Sequence, residues 1–176
     1  KLNLFSHFLF IIFFLLFSFP REVFAFVYVG LLETNHGRFV LVEDKKDQIM
    51  LCDASALKDL NQFRHFKISC EGTIAKDAKE EQCLRVAKIN ILAFPNGRAS
   101  KVGWLRENAG VFYLIGENNE DLSPTIFPPG LFNLVGKKIV LDIREVALNF
   151  LSEKVVVSYF VFPDLDLPKI NEAPSN

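Results

Sequence analysis

The chain has 176 residues, half of them apolar, with 20 Lys or Arg against 21 Asp or Glu and a formal net charge of −1. That length holds one ordinary domain or two small ones. With neither sign of charge dominant, a protein that grips a nucleic-acid backbone by charge is excluded.

The chain opens on an unbroken apolar run from Phe8 to Phe17. Ser18, Phe19 and Pro20 follow, then Arg21 and Glu22, then Val23-Phe24-Ala25 with a small residue last. That order reads as a secretory signal cleaved after Ala25. The other reading of residues 1–25 is a retained hydrophobic helix acting as a membrane anchor. A spanning helix needs about 20 apolar residues, and Leu2 to Phe19 reaches eighteen only by counting Asn3, Ser6, His7 and Ser18. No Cys lies near the boundary to carry a lipid, and no Asn-x-Ser/Thr sequon occurs. The expected location is therefore outside the cytoplasm, in a bacterial periplasm or envelope. Membrane contact is expected only through residues 1–25, if they stay uncleaved.

Residues 26–95 and 96–163 repeat one another. At a shift of 73, Val29-Gly30-Leu31-Leu32 lies on Val102-Gly103-Trp104-Leu105, and Asn35-His36-Gly37 lies on Asn108-Ala109-Gly110. Seven of the thirteen positions from Val29 to Leu41 are identical without a gap, where unrelated segments share about one. The match resumes at a shift of 71, with Lys67-Ile68 on Lys138-Ile139, and the copies close on Phe94-Pro95 and Phe162-Pro163. This is the mark of internal duplication.

Each copy reads as five strands and one short helix. The first strand covers about Val27 to Thr34, with a twin at Lys101 to Glu107. Gly30 and Gly103 sit inside them, where a glycine marks a bulge or bend. Asn-x-Gly then makes a tight hairpin in both copies. The second strand runs Arg38 to Glu43, or Val111 to Gly116, and Gln48 to Cys52 is the third. Asp53 is placed to cap a helix from Ala54 to Gln62 that buries Leu57, Leu60 and Phe63. In the second copy Pro128 and Pro129 should shorten that helix. In the fourth strand Phe66, Ile68, Cys70 and Ile74 alternate inward, as Ile139, Leu141 and Ile143 do in its twin. Arg85 to Phe94 and Lys154 to Phe162 are the fifth strands. The tail, residues 164–176, has Pro168, Pro174 and no apolar period, and reads as disordered.

Three strands, a helix and two strands, with a glycine bend in the first, resemble the OB-fold (oligonucleotide/oligosaccharide-binding fold). The resemblance is one of strand order and spacing over Phe26 to Pro163. It implies an all-β chain of two tandem five-stranded barrels, each with one short helix, whose first strand is long enough to pair on both sides. It also raises nucleic-acid binding, which needs a cationic groove with aromatic platforms. Each copy instead balances its charges, ten against ten and seven against seven, so no nucleic-acid partner is expected.

No catalytic residue, cofactor or metal ligand is expected. His36 falls on a hairpin tip and His65 at a strand start, without a partner at ligand spacing. Glu117-Asn118-Asn119-Glu120-Asp121 lacks the alternating order that calcium needs and reads as a solvated turn. Cys70 and Cys83 lie on adjacent strands around a charged turn. They either form a disulfide or leave Cys70 as an inward hydrophobe, like its twin Leu141.

One asymmetry points to a partner. The turn before the fifth strand is Lys76-Asp77-Ala78-Lys79-Glu80-Glu81-Gln82 in the first copy and Ala147-Leu148-Asn149-Phe150-Leu151 in the second. Leu148, Phe150 and Leu151 are the expected partner patch. The function expected is that of a non-enzymatic exported protein that binds an unknown protein or envelope ligand. The alternatives are an anchored accessory subunit of a membrane complex and a carbohydrate or small-ligand module.

Overall fold

The structure, a computed structural model, describes residues 25–44, 47–53, 56–148, 151–165 and 167. The leader and anchor readings of residues 1–25 therefore fall almost wholly outside the described residues. The described chain is mostly β, in two antiparallel sheets. The first holds β1 (Phe26–Asn35), β2 (Arg38–Asp44), β3 (Asp47–Met50), β4 (Lys67–Lys76) and β5 (Gln82–Ala93), in the order β3-β2-β1-β4-β5. The second holds β6 (Lys101–Asn108), β7 (Val111–Gly116), β8 (Lys138–Leu148) and β9 (Leu151–Val161), in the order β7-β6-β8-β9.

The first strand of each sheet pairs on both sides, as the sequence leads one to expect. β1 pairs with β4 through Phe26–Leu31 and with β2 through Leu31–Asn35. β6 does the same, meeting β8 through Lys101–Trp104 and β7 through Gly103–Asn108. The handover falls at Gly30 and Gly103. A Cβ on Gly30 would stand 2.8 Å from the carbonyl oxygen of Val42, and one on Gly103 would stand 2.8 Å from that of Ile115. The strands cross too closely there for any side chain, and that is the backbone need the recurring glycines meet.

The duplication extends to features the sequence does not display. Both β1–β2-type hairpins turn on two residues of positive φ, His36-Gly37 and Ala109-Gly110. That is the two-residue turn whose twist suits a hairpin. His65 and Gly136 both take positive φ and both donate an N–H to the carbonyl of a twin leucine, Leu32 or Leu105. The β4–β5 register slips between Glu71 and Gly72, and the β8–β9 register slips between Asp142 and Ile143. Ile74, expected inward, is exposed near the end of β4.

Several elements differ from their sequence reading. The helix expected from Ala54 is a six-residue 3-10 turn at Lys58–Phe63, and Asp53, at positive φ, does not cap it. Leu57, Leu60 and Phe63 are nevertheless buried, as expected. The matching turn at Pro129–Leu134 is equally long, because Pro128 and Pro129 stand at its start, where no intrahelical N–H is needed. A third strand is reduced to isolated bridges in the second half. Asp121 lies opposite Ile115, and Ile126 lies beside Val155. Pro124 and Pro128 interrupt this stretch and lack the N–H a ladder requires. In the tail, Leu165 and Leu167 pack against the first core, while 168–176 lie outside the described residues.

The halves meet through phenylalanine. Phe63, Phe66 and Phe94 of the first half surround Phe160, with ring centroids 6.1, 5.3 and 6.2 Å away. Phe162 stands 6.1 Å from Phe63, and Val140 belongs to the same buried cluster. Gln62 donates to the carbonyl of Val161 at 3.1 Å. Arg98, in the connection between the sheets, stands 2.6 Å from the buried carboxylate of Asp142. The contact is one of charge, since Arg98 Nη1 and Asp142 Oδ2 make no hydrogen bond among the described residues. The second core, around Leu105, Leu114, Leu131, Ile139 and Leu141, is separate.

Candidate functional site

The expected partner patch sits on the β8–β9 hairpin. Leu148 and Leu151 are the last paired residues of its ladder. Phe150 and the side chains of Leu148 and Leu151 lie outside the described residues. The ladder behind them is described, and its outer face carries exposed apolar residues beside Arg144, opposite Val155, and Glu153, opposite Val146. Val146, Val155 and Val157 are exposed there, and Ile126, bridged to Val155, is 77% exposed. Val155 and Val157 lie on one strand, either side of Val156, and Val146 stands opposite Glu153, on the face of Val155. A cluster of exposed β-branched residues differs from the single ones any surface carries.

The same place in the first half is polar. The slips equate Gly72 with Ile143, and their partners Val86 and Val156 with each other. The residue before each partner is then Arg85 in the first half and Val155 in the second; both are exposed. Beyond Arg85 the hairpin ends in a charged turn. Asp77 accepts N–H groups from Lys79 at 2.8 Å and Glu81 at 2.9 Å. Arg38 of β2 reaches Asp77 and Glu81, both at 2.8 Å, and its Nη1 lies 2.9 Å from Met50 Sδ. Desolvation pushes the Asp77 carboxyl up, but the two N–H groups and Arg38 outweigh it and hold it below the ordinary range.

Arg38 also stands in the wall of a cleft of about 510 Å³. Asn35 and His36 of the β1–β2 turn form one side, with Lys79, Glu81 and Gln82 of the β4–β5 turn opposite. Val40, Gln48 and Met50 make the floor. Sequence reasoning missed this cleft. The only signal for it was the pair of polar turns at one end of the sheet.

The cysteines correct the pairing considered from sequence. Cys83 is bonded to Cys52, Cα to Cα 5.3 Å, and not to Cys70. The turn sets Ala75 opposite Cys83, and Cys70, further along β4, faces Ile89. Cys70 is the inward hydrophobe, free and buried, its thiol pushed up to about 12 by burial. A thiol so rarely ionised is no nucleophile at neutral pH. Cys52 reaches Cys83 because the two edges of the first sheet approach. Leu51 bridges Leu84 in parallel, and the Cys52 N–H donates to the Leu84 carbonyl at 2.9 Å.

The remaining polar groups serve local structure. His65 Nδ1 lies 2.9 Å from Glu33. In the acidic turn, Glu120 accepts the Asn118 N–H, and Glu117 pairs with Lys138 at 2.9 Å. The Ser123 hydroxyl and N–H, with Lys154 nearby, hold the Asp121 carboxyl below its usual range against a smaller upward push from desolvation. Among the described residues no three His, Cys, Asp or Glu gather where a metal would sit. Among them, too, no helix is long and apolar enough to cross a membrane. Comparison with protein-family models, with curated proteins and with solved structures finds no match.

Proposed function

We propose that this protein is a non-enzymatic binding protein of the cell envelope, exported by its N-terminal apolar segment. In this reading it meets a protein partner through the outer face of the β8–β9 hairpin. The observation that carries the reading is the exposed group Ile126, Val146, Val155 and Val157, set where the other copy has Arg85 and an ion-paired turn. Duplicated modules share a core and are free to differ at their loops, where function concentrates. In the sequence, Leu148, Phe150 and Leu151 add further apolar residues next to these.

Each half is read as an OB-like barrel. Support comes from the doubly paired first strand, the short helical turn between the third and fourth strand positions, and the parallel bridges Leu51–Leu84 and Ile126–Val155 between sheet edges. The run from Phe8 to Phe17 and the small residue at Ala25 support export. Intact mass tests that part: a mature chain starting at Phe26 is expected, and a retained leader contradicts it.

A pull-down from envelope extract with wild-type protein and Phe150→Asp tests the contact. The variant is expected to lose the partner and keep its thermal midpoint, since surface changes usually stay within about 0.5 kcal/mol. A sharp fall in the midpoint makes Phe150 a core residue and ends the interface reading. Burying a charge in place of a packed Phe costs about 3 kcal/mol or more.

A further inference from the structure

The outer face of the β8–β9 hairpin carries two charges among its apolar residues, and their placement is specific. The ladder sets Arg144 opposite Val155 and Val146 opposite Glu153. Residues two apart on a strand share a face, and so do residues directly opposite each other. The four therefore form a quartet, with Arg144 and Glu153 on one diagonal and Val146 and Val155 on the other. Ile126, bridged to Val155, and Val157 widen the apolar corner. Arg144 is exposed and Glu153 partly so, and neither makes an ion pair among the described residues. Glu145 and Lys154 stand opposite one another on the reverse face, where Lys154 Nζ donates to the Asp121 carbonyl. The β4–β5 hairpin has no such quartet. Its twin positions are Thr73, Ala75, Cys83 and Arg85, with no acid among them and Cys83 buried in its disulfide.

We infer, on the proposed reading of the hairpin face as a contact surface, that its occupant is a second copy of this chain. The copies meet face to face across a two-fold axis along the Val146–Val155 diagonal. A two-fold contact requires a surface that complements itself. Rotation about that diagonal lays Val146 on Val146 and Val155 on Val155. It also exchanges the other two corners, so that Arg144 of each copy meets Glu153 of the other. One quartet thus yields two apolar contacts and two ion pairs. The strands of the two copies cross steeply, one of the two ways in which sheets pack. Other occupants fit less well. A partner of one charge sign attracts one corner and repels the other. A wholly apolar surface, a membrane included, leaves both charges desolvated and unpaired.

Analytical ultracentrifugation of the whole protein, as wild type and as charge variants, tests the pairing. Wild type is expected to be a dimer at about 100 μM, where even a micromolar interface is filled. Arg144→Glu alone, or Glu153→Arg alone, sets like charges together at both corners. Each is expected to weaken association by about tenfold or more. An equimolar mixture of the two single variants brings opposite charges back to both corners, and is expected to associate within about threefold of wild type. Should either charge variant fold poorly, Val146→Cys decides: its new thiols meet on the axis, and oxidised glutathione is expected to link two copies through them. A monomeric wild type overturns the dimer and leaves the hairpin face itself to the Phe150→Asp pull-down. Single variants that associate as wild type does, a mixture no better than its components, or a Val146→Cys protein that stays unlinked overturn it as well.

Discussion

The two halves of this molecule share their backbone devices and differ in how the third strand position and the sheet edges are secured. In the first half β3 is a strand, and its end is tied to β5 by a bridge and by the Cys52–Cys83 disulfide. In the second half isolated bridges replace the strand, and the tie to β9 is a bridge at Ile126 with the Thr125 N–H donated to Lys154. The half with the covalent tie carries a polar cleft beside it, and the half without carries the apolar hairpin. What the copies share is what the chain path requires. What they do not share includes the buried disulfide as well as the surface at the two hairpins.

The largest effect is expected where the halves meet. Phe63 is fully buried and touches Phe66, Phe160 and Phe162, whereas its twin Leu134 is only half-buried in the second core. Phe63→Ala should cost about 3–5 kcal/mol, the usual loss for a buried Phe. Leu134→Ala should cost clearly less, as chemical denaturation of the two variants would show. Equal losses would mean that the shared phenylalanine cluster contributes nothing beyond an ordinary core.

Removing the disulfide comes next. Cys52→Ser with Cys83→Ser opens a link spanning 31 residues and should cost about 2–4 kcal/mol. Hydrogen exchange should rise first in β3 and β5 and leave β6–β9 nearly as they were. A uniform rise in both sheets would show that the halves unfold as one. Thiol counting under denaturing, non-reducing conditions should find one free thiol.

Gly30→Ala and Gly103→Ala probe what the copies share. Each new methyl would press on a β2-type backbone carbonyl at 2.8 Å, and each should cost about 1–3 kcal/mol as an overpacking change. Similar thermal shifts sharpen the comparison. A silent substitution at either site breaks it.

The smallest effect belongs to Asp77. Its carboxyl is held below the ordinary value of 3.8 in the fold, so it adds stability at pH values above that figure. The contribution fades as pH falls through the folded value. Asp77→Asn should lower the thermal midpoint slightly at neutral pH, and its difference from wild type should shrink between about pH 5 and pH 2 as the wild-type carboxylate is protonated.

How much of the molecule was legible in its sequence depends on range. The repeat, the hairpins and the need at Gly30 and Gly103 are local patterns, and they were readable. The Cys52–Cys83 pair was not, because it depends on the two edges of the first sheet approaching one another and on the β4–β5 register. Asp53 looked like a cap, but the chain enters the 3-10 turn only after it, and burial of Leu57, Leu60 and Phe63 decides the geometry. Leu165 and Leu167 hid in a tail whose average composition is polar. The cleft escaped because it joins two turns distant in sequence.

The central claim is that the second half's hairpin face, not its scaffold, distinguishes it. The direct measurement is partner binding by Val155→Arg, which gives the second half the residue its twin carries at Arg85. The account predicts loss of the partner recovered by wild-type protein, with a thermal midpoint unchanged within the effect of a surface substitution, about 0.5 kcal/mol. Undiminished binding by a folded Val155→Arg protein would contradict it.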